Sequence, residues 1–123
     1  MSIQNRLKTF YEGLAALGIV NQGDAAIPCY HYFAPSGTPA PYIVWNEDSE
    51  DEPLMADNHK ARQSIAGFVE YFTKNEFDSN FDLIQGYLDG FNSLSWTWEA
   101  TQYGDPTNGD DDLIHHTWSW RMR

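Results

Sequence analysis

Apolar residues recur at Ile3, Leu7, Phe10, Tyr11, Leu14 and Leu17, a spacing that lines one side of an α-helix. Gln4, Lys8 and Glu12 fall on the other side, so residues 3–17 are predicted to form a helix lying on a sheet. Ser2 can cap its first turn, and Gly18 can supply a left-handed stop. A second stripe, made by Phe81, Ile84, Tyr87, Leu88 and Phe91, predicts a helix over 79–90. Ser79 and Asp82 stand at capping-box spacing, while Gly86 weakens the helix from within.

The remaining patterns are those of strands. Residues 29–33 follow Pro28 as a first strand, and the prolines and glycine of 34–41 exclude both helix and central strand there. Tyr42, Ile43, Val44 and Trp45 form a β-prone run suited to burial on both faces. Residues 54–58 begin another strand. Residues 61–73 form a long one, with Ile65, Val69 and Tyr71 on one face and Phe68 and Phe72 on the other. Gly67 within it marks a bulge or a close backbone approach.

In the last third, Leu94, Trp96, Trp98 and Ala100 alternate with Ser95, Thr97, Glu99 and Thr101. Ile114, His116, Trp118, Trp120 and Met122 alternate in the same way with His115, Thr117, Ser119 and Arg121. The intervening 104–112 is turn chemistry, so the two runs are predicted to pair as an antiparallel hairpin. Helix, strands, helix and hairpin in that order predict a single α+β domain over 1–123. Its sheet is antiparallel or mixed, with both helices packed on it.

Charge narrows the functional classes. Eighteen acidic residues against seven basic give a net charge of −11, and no basic patch or stripe is present. Such a chain repels phosphate backbones at long range, which argues against groove-reading nucleic-acid binding, although an acidic surface could still guide nucleic acid without holding it. Much of the acid is concentrated in Glu47, Asp48, Glu50, Asp51 and Glu52, and again in Asp110, Asp111 and Asp112. Like charges at that density repel, so these runs are expected in solvated loops or a hairpin tip. The lone Cys29 cannot form an internal disulfide, which fits a reducing compartment. Arg6, Lys8 and Glu12 interrupt the N-terminal stripe, so neither a signal peptide nor a membrane span is expected, and the cytoplasm is.

Candidate chemistry is sparse. Cys29 and His31 would point the same way on a strand, as a thiolate and base could, but no oxyanion donor or orienting acid accompanies them. His115 and His116 face opposite sides of a strand and cannot share one ion without a bulge; a packed His116 and a surface His115 are expected. If Gly109 held the sixth position of a calcium loop, Gly104 would hold the first, where Asp is required. No phosphate loop, dinucleotide fingerprint, HExxH or GxSxG occurs. The expectation is a protein without enzymatic activity, metal or cofactor.

Three stretches carry a resemblance through their order and spacing: residues 41–45 (PYIVW), 55–58 (MADN) and 69–74 (VEYFTK). With the closing 113–120 (LIHHTWSW), the chain resembles the tail terminators and minor tail components of long-tailed phages and prophages. The resemblance spans most of the chain after residue 28. It implies an α+β subunit of a six-membered homo-oligomeric ring on the head-proximal end of a tail tube. That ring stops tube growth and meets the head–tail connector. It also implies location in the virion tail, assembly in the host cytoplasm, and the major tail tube protein as a partner. DNA would pass through without specific binding, since an acidic lining does not hold phosphates. The alternatives are another neck or tail-completion protein and an acidic DNA-mimic inhibitor. The latter suits this chain less because its charge is bunched and not spread along an extended face.

The tryptophans divide this reading into core and interface. Trp96, Trp98, Trp118 and Trp120 are expected on one surface of the hairpin, and the helices supply cover for most of them. Trp120, Arg121, Met122 and Arg123 end the chain on a strand expected to be free to join a neighbour, so they are the candidate assembly interface.

Overall fold

A computed structural model describes residues 3–17, 27–50, 64–105 and 110–122 of the chain. Helix α1 (Ile3–Ala15) is followed by strands β1 (Cys29–His31), β2 (Tyr42–Glu50) and β3 (Ile65–Thr73). Helix α2 (Ser79–Gly90) precedes the hairpin of β4 (Leu94–Asp105) and β5 (Asp110–Met122). The strands form one mixed sheet in the order β1-β2-β3-β5-β4, in which only the β1–β2 pairing is parallel. This is the α+β architecture that the hydrophobic periods predict, with β4 and β5 as the C-terminal hairpin.

Both helices lie on one face. Phe10 and Leu14 of α1 and Ile84 and Leu88 of α2 are buried against Ile43, Val69, Tyr71 and Trp118. The register places odd-numbered residues of β2 as far as Glu47, and of β3, on this face with even-numbered residues of β5, because Ile43 pairs with Tyr71 and Tyr71 with His116. Tyr42 and Val44, on the opposite face, are buried too, as the apolar run predicts. There Tyr42 stacks on its cross-strand partner Phe72, and Phe72 on His115, with ring centroids 4.6 and 4.3 Å apart. Cross-strand aromatic contacts of this kind tie β2, β3 and β5 together on the far side of the sheet.

Element ends differ from the sequence expectation for local reasons. α1 closes at Ala15; Ala16 and Leu17 then donate to the carbonyls of Gly13 and Leu14, the tighter bonding of a final turn. β1 stops at His31 because Tyr32 turns to φ 75°, a left-handed conformation incompatible with a continued strand. The cap of α2 is Asp78, not Ser79: its carboxylate accepts from the Asn80 N–H at 2.9 Å. Residues 2, 18 and 54–58, to which caps and a strand are assigned above, lie outside the described residues.

Gly67 answers to close approach. A Cβ there would meet the Asn46 carbonyl oxygen at 2.0 Å and Trp120 Cζ2 at 2.6 Å, so only glycine lets β2 and the indole converge. The bulge lies on the facing strand, between Glu47 and Ser49. A second bulge corrects the alternation expected for β4. Trp98 pairs with Trp118 but Ala100 pairs with Thr117, so Glu99 is the extra residue. Beyond it the faces exchange. Ala100 moves to the far side, and Thr101 and Tyr103 join the helix side opposite His116 and Ile114.

The hairpin places Trp96 opposite Trp120 and Trp98 opposite Trp118, as expected. Their burial reverses the expected division. Trp118 and Trp120 are 0% and 2% exposed, whereas Trp98 is 45% exposed on the outer strand. Strand order is the reason: β5 is flanked by β3 and β4 under the helices, and β4 is at the margin. Trp118→Ala should therefore cost about 3–5 kcal/mol in urea denaturation. Trp98→Ala should cost less than about 1 kcal/mol. Equal losses would contradict the placement of β4 outside β5.

Candidate functional site

The acidic run does not form a free loop. Glu47, Asp48 and Glu50 are on β2, where Glu47 pairs with Gly67 and Glu50 with Ile65; Asp51 and Glu52 lie outside the described residues. β3 supplies the backbone partners that make a strand of this charged segment. Glu47 also has side-chain partners: His31 Nε2 lies 2.8 Å from Oε2, and the Tyr32 hydroxyl donates to Oε1 at 2.9 Å. Partial burial pushes its pKa up. The hydrogen bonds from His31, Tyr32 and its own backbone outweigh that and hold the carboxyl below its ordinary range. Asp48 remains exposed. Asp110, Asp111 and Asp112 likewise belong to β5, not to a loop, and Asp110 pairs with Asp105.

The C-terminal interface assignment also changes. Trp120 and Met122 are buried in the domain's own core, Arg121 is exposed, and Arg123 lies outside the described residues. β5 is hydrogen-bonded on both sides, so it has no free edge for a neighbour. Among the described residues, the outer strands are β1 and β4.

Cys29 and His31 are not arranged as nucleophile and base. Burial pushes the Cys29 thiol up to about 12, which keeps it protonated near neutrality. The His31 ring stacks on Trp45 at 4.0 Å and bonds to Glu47. His115 and His116 face opposite sides of β5, as their adjacency predicts. His115 Nε2 lies 2.6 Å from Glu70 Oε2, and His116 Nδ1 lies 2.8 Å from Thr101 Oγ1. Among the described residues, no group of three or more metal-ligating side chains converges.

A cavity of about 360 Å³ opens where the β3–α2 turn, the start of α2, β4 and β5 meet. Phe81, Tyr103 and Ile114 give it apolar walls, and Glu76, Asp78 and Asp82 give it an acidic rim. Asp78 is committed to the fold. Besides capping α2, its Oδ2 accepts from the Tyr71 and Thr73 hydroxyls at 2.6 and 2.8 Å, while Asn80 Nδ2 donates to the Tyr71 oxygen at 3.0 Å. Glu76 and Asp82 are exposed. Phe77, beside the opening, is 95% exposed. None of these residues was singled out in the sequence as a site. Two signals were present: the acid–aromatic mixture of 76–82, and the aromatic Tyr103 next to turn residues.

No helix among the described residues is long and apolar enough to cross a membrane. Compared with known protein families and with curated proteins, the chain matches none of them in sequence.

His116 provides a titration test of the cavity wall. Burial, aided by neighbouring His115, pushes its pKa below the ordinary 6.5, against an opposing pull from Asp78. The unfolded chain therefore takes up this proton first as pH falls below 6.5, and this contribution lowers folded-state stability through that window. His116→Gln should flatten the fall in stability as pH drops through 6.5. In the native chain the His116 ring, followed by NMR, should titrate below 6.5. A midpoint at or above that value would show a ring open to water.

Proposed function

We propose that this chain is a non-enzymatic virion assembly protein, a tail terminator. In this reading it is one subunit of a six-membered ring capping the head-proximal end of a tail tube. The ring halts tube growth and presents the surface to which the head connector joins. The observation that carries the reading is the joint sequence pattern of residues 41–45, 69–74 and 113–120. These segments fall on or directly beside β2, β3 and β5, three consecutive strands of one sheet. The pattern is thus tied to one contiguous piece of the fold. The fourth segment, 55–58, lies outside the described residues.

Charge supports the same reading. A ring of copies each carrying −11 would surround its channel with acid and let DNA slide without adhering. Closure of the ring would also turn a heterologous subunit contact into a finite assembly instead of a filament.

The decisive measurement is imaging of phage tails that contain this chain. It should occupy the head-proximal end of the tube as a closed ring of six, and particles made without it should carry tubes of unregulated length. Density at the distal tip, or one copy per particle, would overturn the proposal.

A further inference from the structure

We propose that the cavity at the start of α2 is a receptor for a lysine or arginine side chain presented by a different, basic protein. Three features of the site point to a cation. Its rim carries three carboxylates, and no lysine or arginine lines it. Its walls include the rings of Phe81 and Tyr103, whose faces attract ammonium and guanidinium groups. Its wall residue His116 is nine-tenths buried and has a depressed pKa, so it adds no positive charge near neutrality. Nδ1 of that ring is taken by Thr101, and Nε2 has no partner among the described residues. A cationic N–H donor would select the tautomer in which Nε2 accepts.

The helix terminus argues the other way and loses. The first turn of a helix presents roughly half a positive charge. Here Asp78 already caps it, and Asp82 stands in that same turn with Glu76 nearby. The sum at the mouth is negative.

Size and surroundings indicate a protein segment as the occupant. Phe77 and Tyr103 are 95% and 66% exposed beside the opening, an aromatic surface broader than one small amine would cover. A second copy of this chain fits poorly. Each copy carries −11, so two repel. Among the described basic residues, Arg6 donates to the Asn92 carbonyl and lies over the Phe91 ring, and Lys74 and Arg121 have partners within the chain. Of the basic residues in the described segments, that leaves Lys8.

This inference does not depend on the role in tail assembly, and its test is separate. The isotope-labelled full chain is titrated with an acetylated pentapeptide holding a central arginine between glycines, and with the same peptide holding uncharged citrulline. The arginine peptide should shift the amide signals of Phe77, Phe81, Tyr103 and His116, and the citrulline peptide should not. Glu76→Gln with Asp82→Asn, both exposed positions outside the Asp78 network, should weaken binding at least about tenfold. Tyr103→Ala provides a second variant with no change in charge and should weaken binding several-fold. Raising salt to about 0.5 M should weaken it further.

Equal binding of both peptides would overturn the cation assignment. Shifts scattered over the acidic surface and unchanged in the double variant would overturn the site. Preferential binding of inorganic phosphate there would mean that the helix terminus wins after all. Self-association of the chain abolished by the double variant would identify a second copy as the occupant and overturn the assignment to another protein.

Discussion

The fold depends on one ring, Phe10, which holds both helices to the sheet. It lies 6.1 Å from Trp45 on β2, 5.1 Å from Trp120 on β5, and 5.8 and 5.3 Å from Tyr87 and Phe91 at the end of α2. Aromatic pairs of this kind contribute about 0.5–1.5 kcal/mol each beyond the area they bury. The contact requires α1 and α2 to come close, and Gly13 permits it. A Cβ at Gly13 would meet the Tyr87 hydroxyl at 2.3 Å. Glycine within a helix costs roughly 1 kcal/mol relative to alanine. Offsetting that, Tyr87 packs on Phe10 and donates its hydroxyl to the Phe10 carbonyl at 2.8 Å. Burial, followed by the nearby Cys29, pushes that phenol up to about 12, so it remains a donor across the physiological range.

Sequence period carried most of this architecture because period reports which side of an element faces the core. Both helices, the doubly buried β2 run, the two faces of β3 and the pairing of the four hairpin tryptophans were legible for that reason. Period does not report strand order. Trp98 and Trp120 share a face, yet only Trp120 is buried, because β5 is interior and β4 is at the sheet margin. Chain order suggested the opposite, since β5 comes last and a terminal strand looked free. Charge misled in a similar way. Self-repulsion in the run beginning at Glu47 points to a loop, but β3 provides a ladder for its backbone, and His31 and Tyr32 provide donors for Glu47.

The cavity was illegible for a different reason: it is assembled from three distant segments through a register change. Strict alternation from Trp98 would place Gln102 on the helix side and Tyr103 away from it. The extra residue at Glu99 reverses this, bringing Thr101 against His116 and Tyr103 against Ile114. Bulges of this kind are common on outer strands, where they redirect side chains and disturb the pairing edge. The bulge on β4 thus does two physical things. It builds one wall of the cavity, and it makes the outer edge less suited to accept another strand.

That second effect bears on assembly. If the chain forms the proposed ring, every copy brings −11 to its neighbours, and net repulsion opposes closure. The buried Trp120 and Met122 are unavailable to hold copies together, and the β4 edge is interrupted. Exposed aromatic surface, or positive charge brought by another component, would then supply cohesion. A basic partner seated in the acid-rimmed cavity would supply that charge while covering Tyr103 and Phe77. It would lower the repulsion where each subunit docks, and long-range attraction between opposite charges would speed the encounter. Charge of this sign and placement favours a ring that closes on its partner over one that closes alone.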